Sequence, residues 1–164
     1  ILASLAMYGV RRYIYSARTA EARQMILAIK AAEETYREET YVYVSASAAG
    51  LVSGSEGSLY PQVCVDAKAP GPRKYAWNQA STCADAAQWL QLGVTSTSPV
   101  MYGYGVEQVA PGANMPVVGK FDWLSKTGPG FAVVARGDLD GDGKMSLFLG
   151  SNLTDEIYRE DEDE

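Results

Sequence analysis

The chain has 164 residues, of which 47% are apolar and 21% are charged, a composition that suits one folded domain with a sizeable core. It has no histidine and a net charge of −6. The lack of histidine excludes a histidine-based catalytic triad, and the negative charge argues against nucleic-acid binding, because phosphate contact needs clustered Lys and Arg. We therefore do not expect an enzyme or a specific nucleic-acid binder.

The first predicted element is one long helix over residues 1–39. Residues 1–10 carry no charge, and from Ala17 onward apolar residues recur at helical spacing with charged residues between them. Ten apolar residues are too few to cross a bilayer, which needs about 20. Because the apolar part, residues 1–16, has no polar face, we expect it to continue into a membrane or a helix bundle. The alternative is a core helix, although globular helices average only about 11 or 12 residues.

Three features of this helix carry a resemblance to a known family: the run Ile1–Tyr8, the basic and tyrosine-bearing stretch that follows it, and the segment Glu21–Gln24. Together they resemble the later part of the N-terminal helix of type IV pilins and pseudopilins. The resemblance implies that the helix begins upstream of Ile1, with the processing signature and the glutamate of the family. It also implies that copies of the helix pack against one another through Ile1, Leu2, Leu5, Ala6, Val10 and Ile14.

The segment after the helix is predicted to be mostly irregular. Residues 41–44 form a short run that favours either a strand or a loop packed on the helix. Residues 45–57 are rich in Ser, Ala and Gly and predict a loop. Residues 62–65 could be extended, and residues 67–73, with two prolines, predict another loop.

The two cysteines, Cys64 and Cys83, flank this proline-bearing loop. In an exported protein we expect them to form a disulfide, which would contribute about 3 kcal/mol of stability. Reduced core thiols in a cytosolic protein are the alternative. A short second helix is predicted over residues 82–92, with Ser or Thr as N-cap and Gly93 as the stop.

Three later segments, residues 99–106, 130–136 and 144–149, are rich in β-prone residues and are separated by Gly and Pro turns. They predict strands of an antiparallel sheet. The expected fold is therefore α+β: a long N-terminal helix packed on a small antiparallel sheet, as in pilins. Residues 40–153 would form the globular head. The acidic end, residues 154–164, holds seven acids and one arginine and is expected to be a disordered, solvated tail.

The strongest local motif begins at Asp138, where carboxylates alternate along the chain before a glycine at position six. This spacing is typical of a calcium loop, in which oxygens converge while the backbone turns sharply. The predicted ligands are the side chains of Asp138, Asp140 and Asp142, the carbonyl of Lys144, and an oxygen of Ser146.

Position twelve of such a loop normally carries a bidentate acid, but Leu149 stands there. We therefore expect weak calcium affinity, about 10⁻⁴ to 10⁻³ M, unless Asp155 or Glu156 folds back onto the loop. A structural calcium ion is the favoured interpretation, and a metal-free turn is the alternative.

The segment Phe131–Gly143, with Trp89–Val94 and Tyr102–Tyr104, extends the resemblance, because it is similar to the closing hairpin of some pilin-like proteins. The resemblance implies a structural subunit of a type IV pilus-like extracellular filament on the bacterial surface. Its partners would be copies of itself and minor pilins, and the inner membrane would hold it before assembly. Two alternatives stay open: a calcium-binding pseudopilin of a type II secretion system, and a membrane-anchored surface module that binds a ligand with Trp and Tyr loops.

Overall fold

In the part of the chain that it describes, the computed structural model has one long and one short helix. Helix α1 runs over Leu2–Thr40 and helix α2 over Ala84–Leu92, and a 3-10 turn occupies Gln62–Cys64. The observed α1 agrees with the helix predicted over residues 1–39. Backbone positions are described for residues 2–47, 50–51, 59–66, 68, 70–77, 83–121 and 126–161, and side chains for the same residues except 2–8, 11, 12 and 15.

The strands form one four-stranded antiparallel sheet in the order β1-β2-β3-β4. Strand β1 is Gly103–Val109, β2 is Gly130–Gly137, β3 is Ser146–Ser151 and β4 is Thr154–Glu160. The first three strands overlap the segments that the sequence predicts. A helix packed on an antiparallel sheet confirms the α+β class.

Helix α1 covers one face of this sheet with the side that carries Ala22, Ile26 and Ile29, all fully buried. These residues pack in one core cluster with Phe131 of β2 and Phe148 of β3. The helix lies very close to β3, because a Cβ atom at Gly150 would come within 2.6 Å of Ile26 Cγ2. The opposite face of the sheet has its own smaller core, formed by Leu51, Leu59, Val109, Met115, Val118, Ala132, Val134, Leu147 and Leu149.

Strand β4 corrects the expected disordered tail, because residues 154–160 are an ordered edge strand. An edge strand needs an apolar residue only where it faces a core, and β4 has two. Ile157 packs against the helix-side core, and the ring of Tyr158 lies 4.5 Å from that of Phe121. The acids Asp155 and Glu156 are exposed. Residues 162–164 of the predicted tail lie outside the described residues.

Residues 62–64 also differ from the prediction, since they form a 3-10 turn and not an extended segment. The backbone N–H of Val63 bonds to the carbonyl of Leu59, and that of Cys64 to Pro61. The sulfur atoms of Cys64 and Cys83 lie 2.02 Å apart in a disulfide. This bond fastens the 3-10 turn to the start of α2, where Cys83 occupies the N-cap position without a side-chain capping bond. The predicted cap, Ser81 or Thr82, lies outside the described residues.

Gly93 ends α2 as predicted. It adopts a left-handed conformation with φ 76°, and its N–H bonds to the carbonyls of Trp89 and Leu90. Residues 41–44 are a loop, with Tyr43 and Val44 buried beside the helix.

Candidate metal centre and exposed helix

The turn between β2 and β3 brings together the three aspartates that the sequence singled out. One carboxylate oxygen from each of Asp138, Asp140 and Asp142 lies within 4.8 Å of the others. Asp138 is buried at the end of β2, whereas the other two are exposed. Converging carboxylates are the ligands that hard cations prefer. The cluster could therefore hold a metal ion.

The same carboxylates shape the turn. The oxygens of Asp138 accept hydrogen bonds from the N–H groups of Gly141 and Gly143, at 2.6 and 3.0 Å. Both glycines have positive φ, 85° and 90°, which side chains rarely tolerate. Asp140 accepts a bond from the N–H of Asp142 at 3.2 Å. The turn thus has internal support of its own, as expected of an Asx-type turn.

The two remaining predicted ligands have other contacts. The ammonium of Lys144 lies 3.5 Å from Asp142 Oδ2, so it would compete with a cation for that oxygen. The hydroxyl of Ser146 is fully buried and donates to the carbonyl of Gly137 at 2.8 Å. The ligand roles of Lys144 and Ser146 remain predictions.

The structure does not supply an acid at position twelve from Asp155 or Glu156. Leu149 is buried within β3. Asp155 and Glu156 begin β4, which pairs with the far end of β3, and crossing from residue 151 back to residue 146 spans about 16 Å of strand. Neither residue therefore folds back onto the turn in this structure, and the expectation of weak calcium affinity stays a prediction.

The acid at the near end of β4 is Glu160, and it has a different partner. Its Oε2 accepts the N–H of Lys120 at 3.0 Å, and its Oε1 lies 3.1 Å from the Lys120 ammonium. These contacts with Lys120 lower the pKa of Glu160. The carboxylate of Glu160 thus binds Lys120, which lies in the loop before β2.

Two contacts from other parts of the chain hold the aspartate turn. Arg18 of α1 donates from Nη1 to the carbonyl of Leu139 at 2.8 Å. The N–H of Asp138 donates to the carbonyl of Pro70 at 2.9 Å. This role of Arg18 could not be predicted from the sequence, because a charged residue between apolar helix positions gives no indication of a distant carbonyl partner.

The second candidate site is the N-terminal part of α1, which we call the leading half, residues 2–17. All its described side chains, from Gly9 onward, are exposed. The exposed fractions are 58% for Val10, 76% for Tyr13 and 41% for Ile14. Thr19 is the first described buried residue, so the packed half of α1 comprises residues 18–40.

Of the predicted helix-packing residues, Val10 and Ile14 are therefore exposed in this chain. Ile1 and the side chains of Leu2, Leu5 and Ala6 lie outside the described residues. Among the described residues, no helix combines the length and apolar character that crossing a membrane requires.

The packed half contains two acids, Glu33 and Glu21, whose carboxylates have hydrogen-bond partners elsewhere in the chain. Glu33 is fully buried, and its Oε2 accepts the N–H of Val44 at 3.0 Å. Burial raises the pKa of Glu33 from 4.5 to about 7, and the nearby Glu34 adds to the effect. The spacing could have indicated this burial, because Glu33 follows Ile26 by seven positions and Ile29 by four.

Glu21 fastens α1 to the segment before β1. Its Oε1 accepts the N–H of Met101 at 2.8 Å and the hydroxyl of Tyr104 at 3.3 Å. Burial, then the charge of Glu21, raises the pKa of Tyr104 well above its ordinary value. The carboxylate of Glu21 is thus engaged in holding the helix against the sheet.

No model of a known protein family matches the sequence. Comparison with curated proteins and with solved structures gives no match either. The resemblance to type IV pilins remains a prediction from the residues quoted above.

Proposed function

We propose that this chain is a structural subunit of a type IV pilus-like filament on the bacterial surface, assembled from copies of itself through the leading half of α1. The observation that carries the proposal is the contrast along one helix. The packed half lies on the sheet, whereas Val10, Tyr13 and Ile14 of the leading half are exposed. Before assembly the apolar part would be held in the inner membrane.

The exposed apolar side chains give the helix a reason to associate. Burying one Val or Ile side chain completely contributes about 1.5 to 3 kcal/mol. Val10 and Ile14 are four positions apart, so they lie on one side of the helix. Each subunit that joins a filament would bury its own Val10 and Ile14 in the contact with its neighbours.

The attachment of α1 to the head suits a subunit that must transmit load. The apolar contact with the sheet is supplemented by polar ties from three helix residues. Arg18 donates to the carbonyl of Leu139, Lys30 donates to that of Thr154 at 2.9 Å, and Glu21 accepts from Met101. These ties are spread along the packed half of the helix, so the helix and the sheet would move together.

A calcium-binding pseudopilin of a type II secretion system is the second candidate. The specific observation that favours it is the convergence of Asp138, Asp140 and Asp142. In either case calcium would have a structural role in the head. A membrane-anchored binding module is the third candidate, and for it the aromatic residues of the head would contact a ligand.

The test is to shear surface filaments from cells that make the native protein and to identify the subunit by mass. We compare a V10E/I14E variant with a matched V117E/L90E variant, whose wild-type residues are 63% and 60% exposed on the head. The first variant should lose sheared filaments and the second should keep them, because an unpaired charge is costly to bury in a helix contact. Filaments that persist in the V10E/I14E variant would contradict the proposal.

The location of the protein separates the three candidates. Recovery in long sheared filaments supports the pilus subunit. Recovery only in the envelope, with loss of secreted proteins when the gene is deleted, supports the pseudopilin. Recovery only in membranes, with no effect on secretion, supports the binding module.

A further inference from the structure

A buried acid lies near the end of helix α1, beside the segment that follows the helix. We call this segment, residues 41–46, the junction. Glu33 is fully buried, and its Oε2 accepts the N–H of Val44 at 3.0 Å. Its other oxygen, Oε1, is also buried and has no hydrogen-bond partner among the described residues. Glu33 therefore holds the junction through one backbone N–H while its second oxygen is unpaired.

The basic residues one turn away on α1 are engaged elsewhere. The ammonium of Lys30 donates to the carbonyl of Thr154 at 2.9 Å, and the guanidinium of Arg37 lies 3.5 Å from Glu34 Oε2. Glu34 adds a negative charge beside Glu33. The other elements packed here contribute Phe131 of β2, Asn152 of the β3–β4 turn, Gln91 of α2, Tyr43 of the junction and the exposed Asp155 of β4. None of these residues is a cation that could pair with Glu33.

Tyr43 is the other titratable group of the junction, and it titrates in a different range. Its hydroxyl donates to Glu34 Oε1 at 3.0 Å and accepts from Arg37 at 3.1 Å. Burial, followed by the hydrogen bond to Glu34, raises the pKa of Tyr43 above its ordinary value of 10. Burial raises the pKa of Glu33 to about 7. Glu33 therefore changes its charge near neutral pH, whereas Tyr43 stays protonated there.

The junction begins at a residue with unfavourable backbone geometry and ends at the edge of β1. Tyr41 has a φ of 66°, which places it in the left-handed region that costs energy for residues with a side chain. At the other end, the N–H of Ala46 donates to the carbonyl of Val106 at 3.0 Å. The contact between Glu33 and Val44 lies between these two points, so it helps to keep the junction on the helix.

The protonation state of Glu33 determines whether this arrangement is favourable. A neutral carboxyl group costs much less to bury than an ionised one, and one of its oxygens still accepts the Val44 N–H. An ionised carboxylate with a single backbone donor and no cation beside it carries a large desolvation cost. Helix α1 cannot move away easily, because Ile26 and Ile29 are buried in the core that it shares with the sheet. Movement of the junction is therefore the change that gives water access to Glu33.

We propose that Glu33 is a pH-dependent switch for the junction: the protonated carboxyl group holds residues 41–46 on α1, and loss of its proton favours a state in which they have left the helix. In that state the bond from Ala46 to Val106 would open, as would the bond from the Gln108 N–H to Ser45 Oγ. The outer edge of β1 would then be free to pair with another extended segment. The switch involves contacts within one chain, so it holds or fails independently of the proposed filament function.

The first experiment measures amide hydrogen exchange in the wild-type chain by NMR at pH 5 and pH 8. After correction for the chemical exchange rate, protection of the Val44 amide should be more than about tenfold lower at pH 8, because each pH unit between the ordinary and raised pKa of Glu33 changes the opening equilibrium by up to about tenfold. The Ile29 amide should be better protected than that of Val44 at both pH values, since the helix stays on the sheet. Equal protection of Val44 and Ile29 at pH 8 would indicate unfolding of the whole chain and would overturn the switch.

The second experiment repeats the measurement on two matched variants. Glu33→Gln keeps an acceptor for the Val44 N–H but removes the titrating group, so its Val44 protection should differ by less than about twofold between pH 5 and pH 8. Glu38→Gln alters an exposed acid on the same helix and should keep the wild-type response. A Glu33→Gln chain that keeps the full wild-type response would show that another group titrates, and the proposal would be overturned.

Tyr43→Phe gives a further comparison that leaves Glu33 in place, which matters if Glu33→Gln folds poorly. The variant loses the hydroxyl bonds to Glu34 and Arg37. Protection of Val44 should therefore be lower than in the wild type by a similar factor at pH 5 and at pH 8, so the pH response persists. Loss of the pH response in Tyr43→Phe would assign the titration to the hydroxyl network and would contradict the role of Glu33.

Discussion

The two halves of helix α1 have similar helical structure but differ in what stabilises them. In the packed half, Ile26 and Ile29 are fully buried against the sheet. In the leading half, Val10 and Tyr13 are mostly exposed. Isolated helices of this length are marginal in water. The leading half therefore depends on the packed half, or on a partner, for its helical structure, whereas the packed half depends on the sheet.

The largest expected effect comes from truncating the packed half. Ile26→Ala should lower the free energy of unfolding by about 2 to 5 kcal/mol, because it leaves a cavity at the contact with β3. Val10→Ala should change it by less than about 0.5 kcal/mol in the unassembled chain, since the site is exposed. Urea unfolding of both variants provides the measurement. Equal losses would mean that the leading half is also packed within one subunit.

The pH dependence of stability provides a second comparison through Glu33. Its folded-state pKa of about 7 lies above its ordinary value of 4.5, so the folded chain binds more protons than the unfolded chain between these values. The stabilisation is complete below about pH 4.5 and is lost as the pH rises through 7, a change of about 3 kcal/mol.

Glu33→Gln should remove this contribution, so that the variant changes less in stability between pH 5 and pH 8 than the wild type. The control is Glu38→Gln, which alters an exposed acid on the same helix. Unfolding midpoints at several pH values give the readout. A Glu33→Gln profile parallel to that of the wild type would contradict the raised pKa.

Replacing a glycine with alanine should have opposite effects on stability in the two halves of α1's surroundings, and both effects should be smaller than that of Ile26→Ala. A Cβ atom at Gly150 would meet Ile26 Cγ2 at 2.6 Å, so Gly150→Ala should destabilise the chain by about 1 to 3 kcal/mol through overpacking. A Cβ atom at Gly9 meets nothing within 4 Å. Gly9→Ala should therefore stabilise the helical state of the leading half by up to about 1 kcal/mol and raise its helix content. Circular dichroism and thermal unfolding together test the pair, and a loss of helix in Gly9→Ala would argue against an exposed leading half.

A comparably small effect on stability is expected from calcium. With a dissociation constant near 1 mM, 10 mM calcium should stabilise the folded chain by about 1.4 kcal/mol. Asp140→Asn should reduce this gain, whereas Asp155→Asn, on exposed β4, should not. Hydrogen exchange should show added protection near Leu139 and Arg18, which share a hydrogen bond, and none at residues 9–14. Identical calcium responses in both variants would exclude the aspartate turn as the site.

The sequence predicted the elements whose pattern is local. The helical spacing after Ala17, the β-prone run at residues 130–136 and the stop at Gly93 each correspond to an observed element. The spacing of the three aspartates also predicted their convergence. In each case the residues that determine the structure are close together in the chain.

The rest depended on contacts between distant segments. The acidic residues 154–160 form a strand because Ile157 packs against the helix-side core and Tyr158 against Phe121, which composition alone could not show. Arg18 acts on a carbonyl 121 positions away. Residues 62–64 turn because they are bonded to residues 59–61 and to the cysteine that begins α2.

The order in which the elements are synthesised has a consequence for α1. Its sheet partners are β2 and β3, and β3 ends at Ser151, more than a hundred residues after the helix is complete. At about 5 to 20 residues per second, a ribosome needs on the order of ten seconds to cover that distance. Until β2 is complete at Gly137, Ile26 and Ile29 have neither of these strands to contact. A chaperone or a lipid surface that binds apolar helices can therefore contact α1 before β2 and β3 of the same chain have been synthesised.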